Sequence, residues 1–378
     1  MKKDGLHYTS IWPLADRQAV EVIDQTRLPH EFSIASIGSV DAMVVAIKTM
    51  QVRGAPLIGA AAAYGIALAT LEAGKQTDGD AHIRSSAQKL LDSRPTAVNL
   101  RWAVDRMLLA LQGIAPADRV DTAWHEAAAI CAEDVETNHS IAQHGLGVIR
   151  LLVESRSAAG NPVSTQHPLN ILTHCNAGWL AAVDWGTALA PIYAAHDAGI
   201  AVHVWVDETR PRNQGASLTA WELAQHGVPY TVISDNAGGH LMQHGQVDMV
   251  IVGADRVTAR GDVCNKIGTY LKALAAYDNG VPFYAAVPSP TIDWGMQDGI
   301  AEIHIEERHG DEVRLVTGKL VTDQAESGRI ATVNILPDGS PVANPAFDVT
   351  PARLVTGIIT ERGLCGPARL EALFHAPA

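Results

Sequence analysis

Apolar residues follow two contrasting patterns along this chain. From Ser39 to about Ser155 they recur at helical spacing; after Pro168 they gather into short runs separated by helical stretches. Ahead of both, residues 1 to about 40 alternate apolar and polar, as in Ala19-Val20-Glu21-Val22-Ile23-Asp24, which predicts short strands. Ser39 or Asp41 caps a predicted helix through Met50, and Pro56 opens an Ala-rich helix. Further helices are expected near 80–92, 98–112, 117–137 and 138–154. The stretch Ser155 to Pro168, rich in Ser, Gly, Asn, Pro and Thr, reads as a linker.

Beyond the linker, apolar runs at 169–173, 200–206, 229–233, 247–252 and 282–287 alternate with helical stretches near 186–198, 215–226, 236–245 and 268–279. Such alternation predicts a parallel sheet with right-handed crossovers. Thr350-Pro351 offers an N-cap and a first helical position for a last helix to about Arg362. The expected class is α/β. A small β plus helical N-terminal domain spans 1–155, and a Rossmann-like parallel-sheet domain spans 169–378.

In an open α/β sheet, ligands bind at the carboxyl ends of the strands. Two residues gain interest from that rule. Cys175 follows the first core strand within Thr173-His174-Cys175-Asn176-Ala177-Gly178, a turn that exposes backbone donors. Asp255 ends the fourth in Gly253-Ala254-Asp255-Arg256, where partial burial would raise its pKa and make it an acid near neutral pH. A lone cysteine is more often a small buried hydrophobe, a reading that suits Cys131 and Cys365. Asp255 could equally cap a turn or pair with Arg256 or Arg260. His174 would lower the Cys175 pKa only if charged and on the same side, and neighbours on a strand face opposite ways.

Three further stretches carry polar chemistry. Arg53-Gly54-Ala55-Pro56 places an Arg and a Gly turn at a helix entrance, an arrangement that holds phosphate or merely starts a helix. Glu208 to Gly215, with Gln214, is a polar loop after the second core strand. Asn265 and Lys266 precede the Gly268 helix and offer a neutral donor and a point charge. His240 and His244 stand at i,i+4 spacing without an intervening Glu or a third ligand, so no metal is expected. No GxGxxG follows the first strand of the α/β part and no Walker motif is present, which points to a small phosphorylated metabolite and no nucleotide cofactor.

Bulk composition narrows the classes. The 378 residues are 47% hydrophobic and 18% charged, a globular balance. A net charge of -13 argues against nucleic-acid and anionic-membrane partners. Four scattered cysteines without a CxxC pair suit a reducing cytoplasm. The N-terminus lacks a signal-peptide apolar core, and the longest apolar run, Leu57 to Leu71, is short of the about 20 residues a bilayer span needs.

Taken together, the motifs resemble the methylthioribose-1-phosphate isomerase family of methionine salvage. The resemblance runs through Arg53-Gly54-Ala55-Pro56, Arg94-Pro95-Thr96-Ala97-Val98-Asn99-Leu100, Thr173-His174-Cys175-Asn176 and Glu208-Thr209-Arg210-Pro211. It continues in Gln214-Gly215, Ser234-Asp235-Asn236, Gly253-Ala254-Asp255-Arg256, Gly261-Asp262-Val263, Asn265-Lys266-Ile267-Gly268 and Phe347-Asp348-Val349-Thr350-Pro351. It implies a cytoplasmic homodimer without metal or cofactor, converting 5-methylthioribose 1-phosphate to 5-methylthioribulose 1-phosphate. It implies Asp255 as acid, Cys175 as base or electrostatic partner, and substrate contacts at Arg53, Gly54, Ala55, Arg94, Gln214, Asn265 and Lys266. Ala177, where the family commonly has Thr, and Cys264 leave these positions intact. Two rivals stand beside it. One is an isomerase of another pentose 1-phosphate, such as ribose 1,5-bisphosphate or 5-deoxyribose 1-phosphate. The other is a non-enzymatic regulatory subunit of the same fold, as in the eukaryotic initiation-factor exchange factor.

Overall fold

The Ala-rich run forms the helix Ala55–Ala73, and its burial on every side organises the N-terminal part of the chain. Ala and Gly keep its surface thin, so the helices Val40–Lys48, Gly79–Leu91, Val98–Leu111 and Arg119–Ala158 pack directly against it. By length and composition this helix could cross a membrane, unlike the shorter run read from the sequence, and most of it is buried inside the fold. The computed structural model describes residues 1–321 and 328–375. Strands Ile11–Pro13, Val20–Ile23 and Ile34–Ile37 form an antiparallel sheet, as their alternation predicts. Ser39 caps the next helix, its hydroxyl accepting the Ala42 N–H at 3.2 Å.

The two helices expected at 117–137 and 138–154 are one helix of 40 residues, Arg119–Ala158. The reason is a change of partner halfway along. Its first half, with Ala123, Trp124, Ala127 and Ile130, enters the helical core; its second half, with Ile141, Ala142 and Ile149, enters the core of the large sheet. The apolar stripe changes face there while the backbone continues.

The large sheet has seven strands, in the order Gly363–Cys365, Gly357–Thr360, Phe283–Ala286, Met249–Val252, Leu169–Thr173, Val202–Asp207, Tyr230–Ile233. All neighbours are parallel except the Gly363–Cys365 edge. From Leu169–Thr173 the chain winds outward one way through two strands, then returns and winds the other way from Met249–Val252. The order therefore reverses between these two strands, and their carboxyl ends flank the crevice where α/β sheets bind ligands.

A second sheet lies beyond that crevice. Strands Ile292–Asp293, Arg256–Thr258, Val263–Lys266 and Phe347–Thr350 pair in that order. Asn265 and Lys266 end the strand Val263–Lys266, paired with Asp348 and Phe347, and precede the helix Thr269–Asp278 as expected. One expectation fails here. The helix expected from Thr350 to about Arg362 is instead a 3-10 turn at Ala352–Leu354 followed by the strand Gly357–Thr360. That strand is fully buried beside Phe283–Ala286, and tertiary pairing overrides the capping pattern of Thr350-Pro351.

Candidate active site

Cys175 lies just past the strand Leu169–Thr173 with φ 66°, a left-handed conformation uncommon outside Gly. Three bonds hold it there. Its N–H donates to Thr209 Oγ1 at 2.8 Å, its carbonyl accepts from Thr219 Oγ1 at 2.7 Å, and its thiol donates to Gln214 Oε1 at 3.3 Å. The neighbouring parallel strand Val202–Asp207 delivers Thr209 and Gln214 in the loop that follows it. His174, the first residue past the strand, has different partners. Its Nδ1 lies 2.8 Å from Asp207 Oδ2, and its Nε2 lies 2.8 Å from the Ile267 carbonyl. Ligand atoms of His174, Asp207 and Asp235 converge within 4.8 Å, but the Lys272 ammonium, 3.2 Å from Asp207, already supplies the positive charge. His240 and His244 stack at 4.2 Å on the surface.

Arg53 reaches this loop from the helical layer. Its two Nη atoms donate to Asn176 Oδ1 at 2.5 Å and to the Asn176 carbonyl at 2.7 Å. Gly54 makes the approach possible: with φ 95°, a Cβ there would lie 2.4 Å from the Ala181 carbonyl oxygen. Asn176 Nδ2 in turn donates to Thr219 Oγ1 at 3.1 Å and to Glu222 Oε1 at 2.8 Å. Glu222 is buried and also accepts from Trp179 N–H, Leu180 N–H and Tyr193 O–H at 2.8, 3.1 and 2.8 Å. It sits in Ala220–His226, entered through a π-helical turn at Gly215–Thr219 that brings Thr219 beneath Cys175. Nothing in the sequence singles out Glu222, because a charged residue in a helical stretch reads as solvated.

On the facing strand, the Asp255 N–H donates to the Cys264 carbonyl at 2.9 Å. The chain turns back on itself there, which sets Asn265 and Lys266 beside the carboxylate. Asp255 pairs with neither Arg256, which binds Asp293 at 3.2 Å, nor Arg260, which donates to Gln297. Asn265 Nδ2 donates to Thr269 Oγ1 at 3.0 Å, and Lys266 Nζ rests 4.6 Å over the Phe347 ring. Arg94, buried before the helix Val98–Leu111, lies 3.4 Å from Glu306 Oε2, and its Nε has no hydrogen-bond partner among the described residues.

These residues meet around three neighbouring spaces that share wall residues. A cavity of about 30 Å³ is walled by Arg53, Gly54, Ala55, Cys175, Asp255 and Asn265 among others. A second of about 30 Å³ has Arg94, Ala55 and Asp255 in its wall. A larger one of about 530 Å³ reaches Arg53 and Gln214 from the other side. Lys266 lines none of the three but lies close enough to Cys175 and Asp255 to act on both. Burial pushes the Cys175 thiol up, against the pull of Arg53 and Lys266. Burial likewise pushes the Asp255 carboxyl up, against Lys266, Arg94 and Arg53. Burial lowers Arg53 and Lys266, and in each case Cys175 and Asp255 oppose it. The arrangement joins a carboxyl pushed up by burial, a thiol and several cations in a poorly solvated space, groups of the kind that acid catalysis on a phosphorylated substrate uses.

Residues 51–367 match the Initiation factor 2 subunit family. The chain is 59% identical to a methylthioribose-1-phosphate isomerase of Rhodospirillum rubrum, over 100% of this chain and 95% of the relative. It is 57% identical to one of Gluconobacter oxydans, over 99% and 98%. It belongs to the methylthioribose-1-phosphate isomerase family. Among solved structures, 5-methylthioribose 1-phosphate isomerase from Pyrococcus horikoshii OT3 superposes with a TM-score of 0.79 at 37% identity, covering 98% of this chain and 97% of that one. The translation initiation factor eIF-2B subunit delta from A. fulgidus gives a TM-score of 0.76 at 36% identity, covering 97% and 99%.

Proposed function

We propose that the chain isomerises 5-methylthioribose 1-phosphate to 5-methylthioribulose 1-phosphate. The observation that carries the reading is the meeting of Cys175, Asp255, Arg53 and Asn265 around one cavity at the sheet's switch point, in a chain of this family. In this reading Arg53 from the N-terminal domain (1–155) and Lys266 from the C-terminal domain (169–378) grip the phosphate. Arg94, Gln214, Asn265 and the Gly54-Ala55 turn complete the substrate contacts. A cavity of about 30 Å³ is far below the about 300–1,000 Å³ of pockets for drug-sized ligands. Binding therefore requires its walls to part, and Arg53, which lines both it and the 530 Å³ space, is the wall they share.

The phosphate on the anomeric oxygen blocks ordinary ring opening. Asp255, its carboxyl pushed up by burial, gives its proton to the ring oxygen as C1 becomes electron-poor. Hydrogen then moves from C2 to C1, either as a hydride or through a base that removes a C2 proton and returns it to C1; in both routes the C2 hydroxyl gives up its proton as the ketone forms, which restores the proton Asp255 donated. A thiol pushed up by burial and donating to Gln214 is a weak base at neutral pH, which favours the hydride route with Cys175 as electrostatic partner. Closure around the sugar would keep water from the cation at C1. The functional unit in this reading is a cytoplasmic homodimer.

The test is turnover of purified protein on a panel of pentose 1-phosphates. Conversion of the methylthio sugar well above ribose 1,5-bisphosphate and 5-deoxyribose 1-phosphate is expected. The likeness to eIF-2B subunit delta keeps a regulatory, non-enzymatic reading open; absence of turnover on the whole panel would favour it.

A further inference from the structure

We propose that Glu306 is the resident anion of the phosphate pocket, which surrenders Arg94 to the substrate's phosphate and takes it back on release. The inference rests on the proposed function and adds Arg94 to Arg53 and Lys266 as a phosphate contact.

Three cations, Arg53, Arg94 and Lys266, are buried around Asp255. Buried positive charge without a counter-anion is costly. Glu306 supplies that counter-charge, acting on both Arg94 and Lys266 and lying close enough to Asp255 to disfavour its ionised form. Its hold on Arg94 is loose, however. The pair runs through Arg94 Nε at 3.4 Å, longer than the about 2.7–2.9 Å of a charge-assisted hydrogen bond, and this buried donor makes no hydrogen bond to Glu306 or to any other described residue. A buried guanidinium whose Nε meets only a long ion pair is poised for a better acceptor, and a phosphate oxygen is one.

Glu306 also has somewhere to go. Arg308 Nη1 donates to its other oxygen at 2.8 Å, and Arg308 is itself braced on Glu312 through Nε at 3.0 Å and Nη2 at 2.7 Å. Burial of Glu312 is outweighed by Arg308 and Arg212, which bring its carboxyl down to about 2, so the brace stays charged. The backbone around Glu306 is fixed. Its carbonyl accepts from Ala346 N–H at 2.9 Å, and Arg308 N–H donates to Asn344 at 3.0 Å. Only the side chain has to move, toward Arg308. Two anions, the carboxylate and a dianionic phosphate, would otherwise crowd the same guanidinium. The exchange weakens ground-state phosphate binding and favours product release.

The test is calorimetric titration with inorganic phosphate, followed by kinetics. Glu306→Gln is expected to tighten phosphate by about fivefold or more and to lower KM without raising kcat. In an Arg94→Met background the same change should have under about twofold effect, since the competition is for Arg94. A merely structural ion pair predicts the opposite: Glu306→Gln would bind phosphate equally or more weakly, and that result overturns the proposal. If Glu306→Gln does not fold, Glu306→Asp, which withdraws the carboxylate by one methylene, should tighten phosphate as well; no tightening there also overturns it. Turnover of the methylthio sugar without tightening would refute the exchange and leave the isomerase reading intact. Tightening that depends on Arg94, with no turnover on any pentose 1-phosphate, would support the exchange and refute the isomerase.

Discussion

Replacing Glu222 by Gln alters the acceptor beneath the site without touching any cavity wall. Four donors converge on the Glu222 carboxylate: Asn176 Nδ2 and Leu180 N–H on Oε1, and Trp179 N–H and Tyr193 O–H on Oε2. An amide can accept on one side only. With its NH2 in place of Oε1 it would face Asn176, whose Oδ1 is committed to Arg53. With its NH2 in place of Oε2, Tyr193 can rotate to accept, and only the Trp179 N–H is stranded. That orientation is preferred, and one stranded buried donor costs about 1–3 kcal/mol. Burial pushes the Glu222 carboxyl up, so loss of the charge returns part of its desolvation cost. A net loss of about 2 kcal/mol is expected from urea unfolding. Asn176, which holds Arg53, also loses a charged acceptor for its Nδ2, so Arg53 is less firmly placed and binding of the ketose product should weaken about tenfold, or about 1.4 kcal/mol. Tyr193→Phe is the control. It removes one donor, strands nothing on Glu222, and should cost about 1 kcal/mol of stability with product affinity unchanged. The reasoning fails if Glu222→Gln matches the parent in both measurements, or if Tyr193→Phe weakens product binding as much.

Other consequences are equally direct. Asp255→Asn keeps size and polarity but supplies no proton; kcat should fall about a thousandfold with substrate affinity nearly normal, whereas equal loss of both would make Asp255 a hydroxyl ligand. Because burial holds the Asp255 carboxyl above its ordinary value, kcat of the parent should decline as pH rises through that shifted pKa, and a rate flat into the alkaline range would contradict the acid role. Cys175→Ser should lower kcat about a hundredfold with an unchanged unfolding curve; near-normal turnover would make Cys175 structural. Gly54→Ala forces a Cβ to 2.4 Å from the Ala181 carbonyl at φ 95°, so product affinity should drop through a displaced Arg53, and a fully active variant would show that the turn is not constrained. Asp134 is raised to about 7, mainly by burial, and its Oδ2 accepts from Val183 and Asn138. The folded state therefore holds a proton that the unfolded chain releases near pH 3.8, so stability should fall between about pH 4 and 7 and level off above. Asp134→Asn, which keeps an acceptor, should flatten that slope in denaturation at several pH values.

Local patterns carry a good deal of this molecule. Five apolar runs lie within two residues of five strands of the large sheet; the central ones, such as Met249–Val252, are buried on both faces and must be continuously apolar, a composition visible residue by residue. Strand-end positions for Cys175 and Asp255 follow from the same runs. The sequence misleads where partners are distant. A helix of 40 residues looks like two because its halves face different cores, and Thr350-Pro351 looks like a helix start because nothing local reveals the strand waiting beside Gly357–Thr360.

What the sequence determines by itself is a set of intrinsic properties: the fold class, the charge balance, the placement of a thiol and a carboxyl at strand ends, and the Gly54 turn that only a residue without a Cβ can make. Tertiary structure decides which of these meet. The strand order places Leu169–Thr173 next to Met249–Val252 although they are far apart in the chain, and so brings Cys175 and Asp255 to one crevice. Folding takes Glu222 and Arg94 out of water, half-buries Glu306, and makes their charges consequential. A carboxylate in solution is screened and unremarked; the same group buried against a guanidinium acts in a low dielectric, where a few ångströms decide which anion holds the cation.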